Sequence, residues 1–261
     1  MNRTTSRGTG IATPEGLFEG RLVYKQPKSG FRSSVDSLAL MCFAQRNLVT
    51  SPERVCDLGC GSGFLALVAA LLWPKAQIVG VELSSLRARF ARSNAKANNM
   101  EARLEILEKD IRALERRDFD LILSNPPYHP VKSGTLPKDP DNARARFEVD
   151  LDLAALLEAA TRSLSENGTL CLVYPEKRWS ELLAVARRCG LVLDQWCSVQ
   201  STGVSPPFLV VAAFRNGPRA RGHATPEPAA PLILETPEKG FGEALSEFVS
   251  VIANTCPIDP D

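Results

Sequence analysis

The order of strand-like and helix-like segments constrains the fold of this chain most. Between residues 54 and 214, short apolar runs such as RVCDL, AQIVGVEL and FDLILSN alternate with longer segments such as FLALVAALLW and RARFARSNAKANN. Such runs are typical of strands covered on both faces, and the alternation predicts a parallel sheet with helices on either side. We expect an α/β, doubly wound, seven-stranded sheet. Because LVLDQWCSV and FLVVAAF have no helix between them, the mostly parallel sheet should include an antiparallel edge strand.

The remaining segments are predicted to flank this sheet. We expect residues 1–14 to be a disordered N-terminus and residues 15–50 to form an N-terminal hairpin and helix cap. Residues 51–215 would form the ligand-binding domain, and residues 216–261 a loop and a small C-terminal element. No uninterrupted apolar stretch approaches the roughly 20 residues of a membrane-spanning helix, and the polar N-terminus does not resemble a secretory signal. We therefore expect a cytoplasmic protein with no membrane partner, whose seven cysteines are mainly buried, reduced thiols that form no metal site.

A glycine-rich turn, DLGCGSGFLAL, follows the first predicted strand. Its glycines, Gly59, Gly61 and Gly63, suit a sharp bend over which a ligand approaches the backbone. A dinucleotide-binding turn would place its third glycine one position later. Asp57, at the end of the strand, would repel a diphosphate but suits a ligand with a cationic amine. The turn therefore favours S-adenosyl-L-methionine over NAD.

Two further acids end the next predicted strands. Glu82, followed by Leu83, could accept the ribose hydroxyls of an adenosine, and Asp110 could bind the adenine amino group while Ile111 lies on the ring. Either acid alone is equally consistent with a helix cap or a loop. Because ligands of such sheets bind at the carboxyl ends of the strands, the three acids together indicate one cofactor site.

The segment FDLILSNPPYHP ends the fourth predicted strand. Its two prolines are consistent with a plain turn, since Pro126 restricts Asn125 to extended geometry and neither proline has an N–H. Together with the acidic strand ends, however, NPPY resembles the motif of class I S-adenosylmethionine-dependent methyltransferases that methylate planar nitrogens. The resemblance implies a Rossmann-like fold, catalytic roles for Asn125, Pro126 and Tyr128, a contact of Asn125 with the cofactor, and substrate contacts through Pro127 and Tyr128.

Upstream, QPKSGFRSSVDSLALMCFA resembles the N-terminal signature of the bacterial tRNA(Val) (adenine-N6)-methyltransferases, which modify the adenine beside the anticodon. The matching residues are Gln26, Pro27, Gly30, Arg32, Ser34 and Asp36. Phe31, Ser33 and, in the later segment ARFE, Phe147 depart from that pattern. The resemblance implies that Arg32 and Arg146 contact the substrate and that the enzyme methylates an adenine amino group in structured RNA, namely tRNA. Arg146 could hold a phosphate of the RNA or, alternatively, pair with Glu148.

Charge neither requires nor excludes a nucleic acid partner. The formal net charge is only +1, but residues 1–32 carry six basic and two acidic side chains, and residues 215–223 carry three arginines and no acid. These segments are either solvated or in contact with an RNA backbone. Alternatives remain a methyltransferase for another planar nitrogen (a guanine amine in ribosomal RNA, a DNA adenine or a protein glutamine) and a catalytically inactive RNA-binding module. The sequence predicts no oligomeric state.

Overall fold

The computed structural model describes residues 21–27, 35–127, 153–217, 226–236 and 240–254. The predictions for residues 1–20 and 218–225, and those for Arg32, Tyr128 and Arg146, lie outside these ranges.

Helices and strands alternate in the predicted order. The helices are α1 Val35–Asn47, α2 Phe64–Leu72, α3 Ser85–Ala97, α4 Leu153–Ser163, α5 Trp179–Arg188 and α6 Glu243–Asn254. The strands are β1 Arg54–Leu58, β2 Gln77–Glu82, β3 Leu104–Glu108, β4 Phe119–Ser124, β5 Leu164–Pro175, β6 Leu191–Gln200, β7 Pro207–Asn216 and β8 Leu232–Ile233. Short 3-10 turns span Ile111–Ala113 and Glu176–Arg178. Within the described part of the chain, no helix is both long and apolar enough to cross a membrane.

The strands form one sheet in the order β3-β2-β1-β4-β5-β7-β6-β8. Strand β7 is antiparallel to β5 and β6, whereas the other neighbours pair in parallel. The Rossmann-like α/β fold is confirmed, with two corrections. The sheet has eight strands rather than seven, because β8 adds to β6, and the antiparallel strand lies inside the sheet rather than at its edge.

Burial explains where β7 lies. Its central run from Leu209 to Phe214 is buried at every position, so this strand needs a neighbour on each side and cover on both faces. Strand β6 is half-exposed at most positions and tolerates a place nearer the edge.

Helices cover both faces of the sheet. Helices α1, α2, α3 and α6 supply one apolar core, whereas α4, α5 and the 3-10 turn Ile111–Ala113 supply the other. Helix α1 packs against α2, α6, β5 and β7, so this N-terminal helix belongs to the main fold.

Residues 21–27 lie along α3 and form no β-strand, although a hairpin was predicted to include them. Asparagine side chains take the place of a partner strand. Val23 N–H donates to Asn98 Oδ1 (2.9 Å) and Asn98 Nδ2 donates to the Val23 carbonyl (2.7 Å). Lys25 makes the same pair of bonds with Asn94 (2.8 and 2.7 Å), and Asn94 Nδ2 also donates to the Ser62 carbonyl in the glycine-rich turn (2.9 Å).

Candidate active site

Among the described residues, the predicted site residues that follow or end β1, β2 and β4 lie where the sheet changes its winding direction. The chain runs outward from β1 through β2 to β3, then returns to place β4 on the other side of β1. Asp57 of β1 pairs with Leu123 of β4, so Asn125 follows two residues beyond this pair at the carboxyl edge, where the parallel strands end. Ligands of open α/β sheets bind at this position.

The glycine-rich turn combines close packing with open space. Gly59, Gly61 and Gly63 have φ angles of 77°, 56° and 89°, in the left-handed region that favours glycine. A Cβ on Gly63 would lie 3.2 Å from the Cβ of Ala91, so this glycine allows α2 to approach α3. A Cβ on Gly59 would meet no atom within 4 Å. The turn therefore leaves room over Gly59 for a ligand.

Asp57 is fully buried beneath this turn. Its Oδ2 accepts the Ala66 N–H (3.2 Å) at the start of α2, whereas its Oδ1 has no partner among the described residues. Burial raises the pKa of Asp57 from 3.8 to about 8, and nearby Glu82 contributes in the same direction. An unpaired carboxyl oxygen in such surroundings fits a cationic amine. The amine would donate a hydrogen bond to it and supply the positive charge that balances the ionised carboxylate. This observation fits S-adenosylmethionine.

Glu82 ties β2 to the glycine-rich turn. Its Oε2 accepts the Gly61 N–H (2.8 Å), and its Oε1 accepts the Ser84 N–H (2.8 Å). Each carboxylate oxygen keeps a further lone pair, so the predicted contact with ribose hydroxyls is compatible with both bonds. Leu83 is 46% exposed, and it offers an apolar surface for an adenine ring.

Asp110 has a structural partner that the sequence analysis did not assign. It caps the 3-10 turn, with Oδ1 accepting the Arg112 N–H (2.8 Å), and the Arg112 guanidinium also hydrogen-bonds both carboxylate oxygens. The bonds to Arg112 hold the pKa of Asp110 below its ordinary value. Ile111 is only 5% exposed and packs into the core, so Leu83 presents more apolar surface than Ile111 does. Adenine contacts of Asp110 and Ile111 stay predictions.

Asn125 is held from two directions. Ser124 Oγ donates to the Leu58 carbonyl (2.8 Å), which joins the end of β4 to β1. Asn125 Nδ2 donates to Ser37 Oγ of α1 (2.9 Å), while Asn125 Oδ1 is buried without a partner among the described residues. Pro126 is buried and Pro127 half-buried. The sequence analysis missed Ser37, whose only signal is a small polar residue at the start of the apolar run LALMCFA.

Within the described ranges, the site thus contains two buried oxygens that lack a donor, Asp57 Oδ1 and Asn125 Oδ1, at the ends of neighbouring strands. Such atoms cost free energy unless a ligand satisfies them. The first suits a cation and the second an N–H group. The arrangement can therefore hold a cationic cofactor beside a ligand that bears an amino group.

Comparisons with known proteins agree with this chemistry. Residues 37–185 match the family described as the methyltransferase small domain. A protein named tRNA1(Val) (adenine(37)-N6)-methyltransferase from Tolumonas auensis is 34% identical over 194 residues, or 74% of this chain and 80% of the relative. A protein with the same name from Escherichia fergusonii is 28% identical and covers 92% of this chain and 95% of its own.

A solved structure shows the same fold. The predicted O-methyltransferase from Agrobacterium tumefaciens superposes with a TM-score of 0.59 at 21% identity, over 84% of this chain and 96% of its own. At this identity the likeness concerns the fold alone. The family match covers more than half of the chain. The chain therefore belongs to the methyltransferase small domain family, as a class I S-adenosylmethionine-dependent methyltransferase.

Proposed function

We propose that this methyltransferase modifies the exocyclic N6 of an adenine in tRNA, at the position beside the anticodon, in the cytoplasm. The buried Asn125 Oδ1, which has no donor among the residues that the structure describes, carries the proposal because it is an acceptor at the carboxyl edge of β4, beside the proposed cofactor residues of β1. The relatives named tRNA1(Val) (adenine(37)-N6)-methyltransferase support tRNA as the substrate.

The chemistry of an adenine amine explains why such an acceptor matters. The lone pair of this nitrogen is delocalised into the ring, so the amine is a poor nucleophile. Asn125 Oδ1 and the Pro126 carbonyl would accept its two N–H groups, which orients the nitrogen and increases its electron density. Positioning of this kind and fixed acceptors supply the rate enhancement without a covalent intermediate. Tyr128 is proposed to stack on the base.

The cofactor would occupy the other half of the site. When bound, S-adenosylmethionine would supply a methyl group on a cationic sulfur. The carbon of this methyl group would be the electrophile. Asp57 Oδ1 would accept from the cofactor amine, Glu82 would bind the ribose hydroxyls, and the space over Gly59 would admit the ligand close to the backbone. Leu83 would contact the adenine ring. The proposed cofactor residues therefore lie at or just beyond the carboxyl ends of β1 and β2, and the proposed base-holding residues follow β4.

Substrate contacts outside the pocket are also proposed. Arg32, Arg146 and the basic segments 1–32 and 215–223 would bind phosphates of the RNA. An adenine in a tRNA loop is already partly unstacked, so it enters a pocket at lower cost than a base in a duplex.

The test is transfer of a labelled methyl group from S-adenosylmethionine to separate pools of tRNA, ribosomal RNA, DNA and protein. We expect label in tRNA, recovered as N6-methyladenosine after digestion. Label only in another pool would refute the substrate, and label in no pool would favour an inactive RNA-binding module.

Asn125→Ala tests the role of the acceptor, and the chain offers a matched control. Asn216 also has a buried Oδ1 with no partner in the described part of the chain, and its Nδ2 donates to the Thr161 carbonyl (3.3 Å). It is the last residue of the antiparallel strand β7, so it lies toward the amino ends of the parallel strands, away from Asn125. We expect Asn125→Ala to lower kcat by about 100-fold or more while cofactor affinity stays unchanged. Asn216→Ala should keep wild-type kcat, and equal activities of the two variants would refute the assignment.

A further inference from the structure

We propose that Ser37 is a positioning residue that sets the orientation of the Asn125 amide, so that Oδ1 rather than the NH₂ group faces the target amine. The proposal rests on the proposed function, because it assigns Asn125 Oδ1 the role of acceptor. It makes the N-terminal helix α1 part of the catalytic machinery, although α1 precedes the first strand of the cofactor-binding fold.

The geometry of an amide group carries the argument. Its oxygen and its nitrogen lie on opposite sides of the terminal carbon, so a partner that accepts from the nitrogen places the oxygen on the other side. A serine hydroxyl can donate as well as accept, and it fixes this orientation when it acts as the acceptor. Asn125 Nδ2 donates to Ser37 Oγ at 2.9 Å, which directs Oδ1 away from α1. Oδ1 is buried with no donor among the described residues, so in this orientation the amide presents an unused acceptor.

The opposite orientation would oppose the reaction. A rotation of the amide by about 180° would direct its two N–H donors at the incoming amine, which also presents N–H donors. Two donors cannot satisfy each other, and both would stay desolvated. Correct orientation is therefore needed in the complex with substrate, and it has little effect on cofactor binding.

Ser37 lies in rigid surroundings. It is 4% exposed, and the seven residues that follow it in α1, from Leu38 to Ala44, are all buried. Helix α1 packs against α2, α6, β5 and β7. These contacts hold the part of the helix that carries the Ser37 hydroxyl in place. A side chain held in this way can orient Asn125 more strictly than one on a loop could. Ser124, bonded to the Leu58 carbonyl, holds the backbone just before Asn125.

The experiment compares Ser37→Ala, Ser37→Thr and a matched control, Ser163→Ala. Ser163 is also a buried serine, 1% exposed, but its hydroxyl has no partner among the residues described, and it ends α4 on the other face of the sheet. We expect Ser37→Ala to lower kcat about tenfold, as expected for one orienting hydrogen bond, with the KM for tRNA and the Kd for cofactor within twofold of wild type. Ser37→Thr, which keeps the hydroxyl, should retain at least half of the wild-type kcat.

Each outcome has a distinct meaning because Asn125→Ala is measured in the same assay. Wild-type kcat in Ser37→Ala, beside a loss in Asn125→Ala, would refute the positioning role and leave the proposed function intact. Wild-type kcat in both variants would refute the proposed function. A kcat loss in Ser163→Ala equal to that in Ser37→Ala would show a general effect of buried hydroxyl removal and overturn the proposal, as would an equal loss in Ser37→Thr.

Discussion

The buried carboxyl of Asp57 predicts that cofactor binding depends on pH. Its Oδ2 accepts one N–H, its Oδ1 has no partner in the ranges that the structure describes, and burial raises its pKa to about 8. Below that pH the carboxyl of the free enzyme carries a proton. A cationic amine placed against Oδ1 stabilises the ionised form, so binding between about pH 5 and 7 should release one proton.

The size of the effect follows from this proton count. Each pH unit below the pKa costs about 1.4 kcal/mol of binding free energy, so the association constant should rise about tenfold from pH 6 to pH 7. The amino group of the cofactor has an ordinary pKa near 7.7–8.0, and above that range it loses the charge that the carboxylate attracts. Affinity should therefore reach a maximum near pH 8 and decline above it.

Isothermal titration calorimetry with S-adenosylhomocysteine, which keeps the amine, measures both the association constant and the proton release. Titrations from pH 5.5 to 8.5 in buffers of different ionisation enthalpy give the association constant and the number of protons released. In Asp57→Asn the carboxyl is absent, so the steep rise and the proton release should both disappear. The same slope and proton release in the variant as in wild type would refute the reasoning, because another group would then be titrating.

Three further predictions concern stability. Because the pKa of Asp57 is raised by folding, its contribution to the free energy of unfolding is full below pH 3.8 and is lost as pH rises toward 8. Urea unfolding between pH 5 and 8 should therefore show a smaller decline for Asp57→Asn than for wild type, and parallel declines would contradict this. Gly63→Ala should lower the free energy of unfolding by about 1–3 kcal/mol in the same assay, because φ at Gly63 is 89° and the added Cβ would lie 3.2 Å from the Cβ of Ala91. An unchanged urea midpoint would contradict the strain expected at this position. Asn94→Ala removes side-chain bonds to residues 21–27 and should speed tryptic cleavage within that segment, whereas an unchanged rate would show that Asn94 does not hold it.

Local patterns explain why much of the fold could be predicted. Continuous apolar runs separated by helical segments determine the parallel strands, and the glycine-rich turn with Asp57 identifies the cofactor edge. The position of β7 between β5 and β6 depends on which long-range neighbours cover its apolar run, and the two-residue strand β8 exists only through its pairing with β6. The apolar run of β7 indicates a covered strand but does not identify its neighbours, and β8 has no local signal.

The residues of the candidate site also separate into those with a local signal in the sequence and those without one. Asp57 and Asn125 are predicted site residues because they lie at the ends of strands of the alternating pattern, and the structure places Asn125 two residues beyond Leu123, the partner of Asp57. The bond between Ser37 and Asn125 joins residues 88 positions apart, so no spacing in the sequence could indicate it. Asp110 stays a predicted cofactor ligand, and its carboxylate also accepts from Arg112, two residues away, which only the side-chain geometry shows.

The most direct test of the proposed function uses a single RNA and one changed base. A transcript of the valine tRNA named in the relatives, with adenine at position 37, is compared with the same transcript carrying guanine there. The protein and labelled S-adenosylmethionine should transfer about one methyl group per molecule to the first transcript, recovered as N6-methyladenosine, and none to the second. Equal labelling of both transcripts, or label recovered as any other nucleoside, would contradict the assignment.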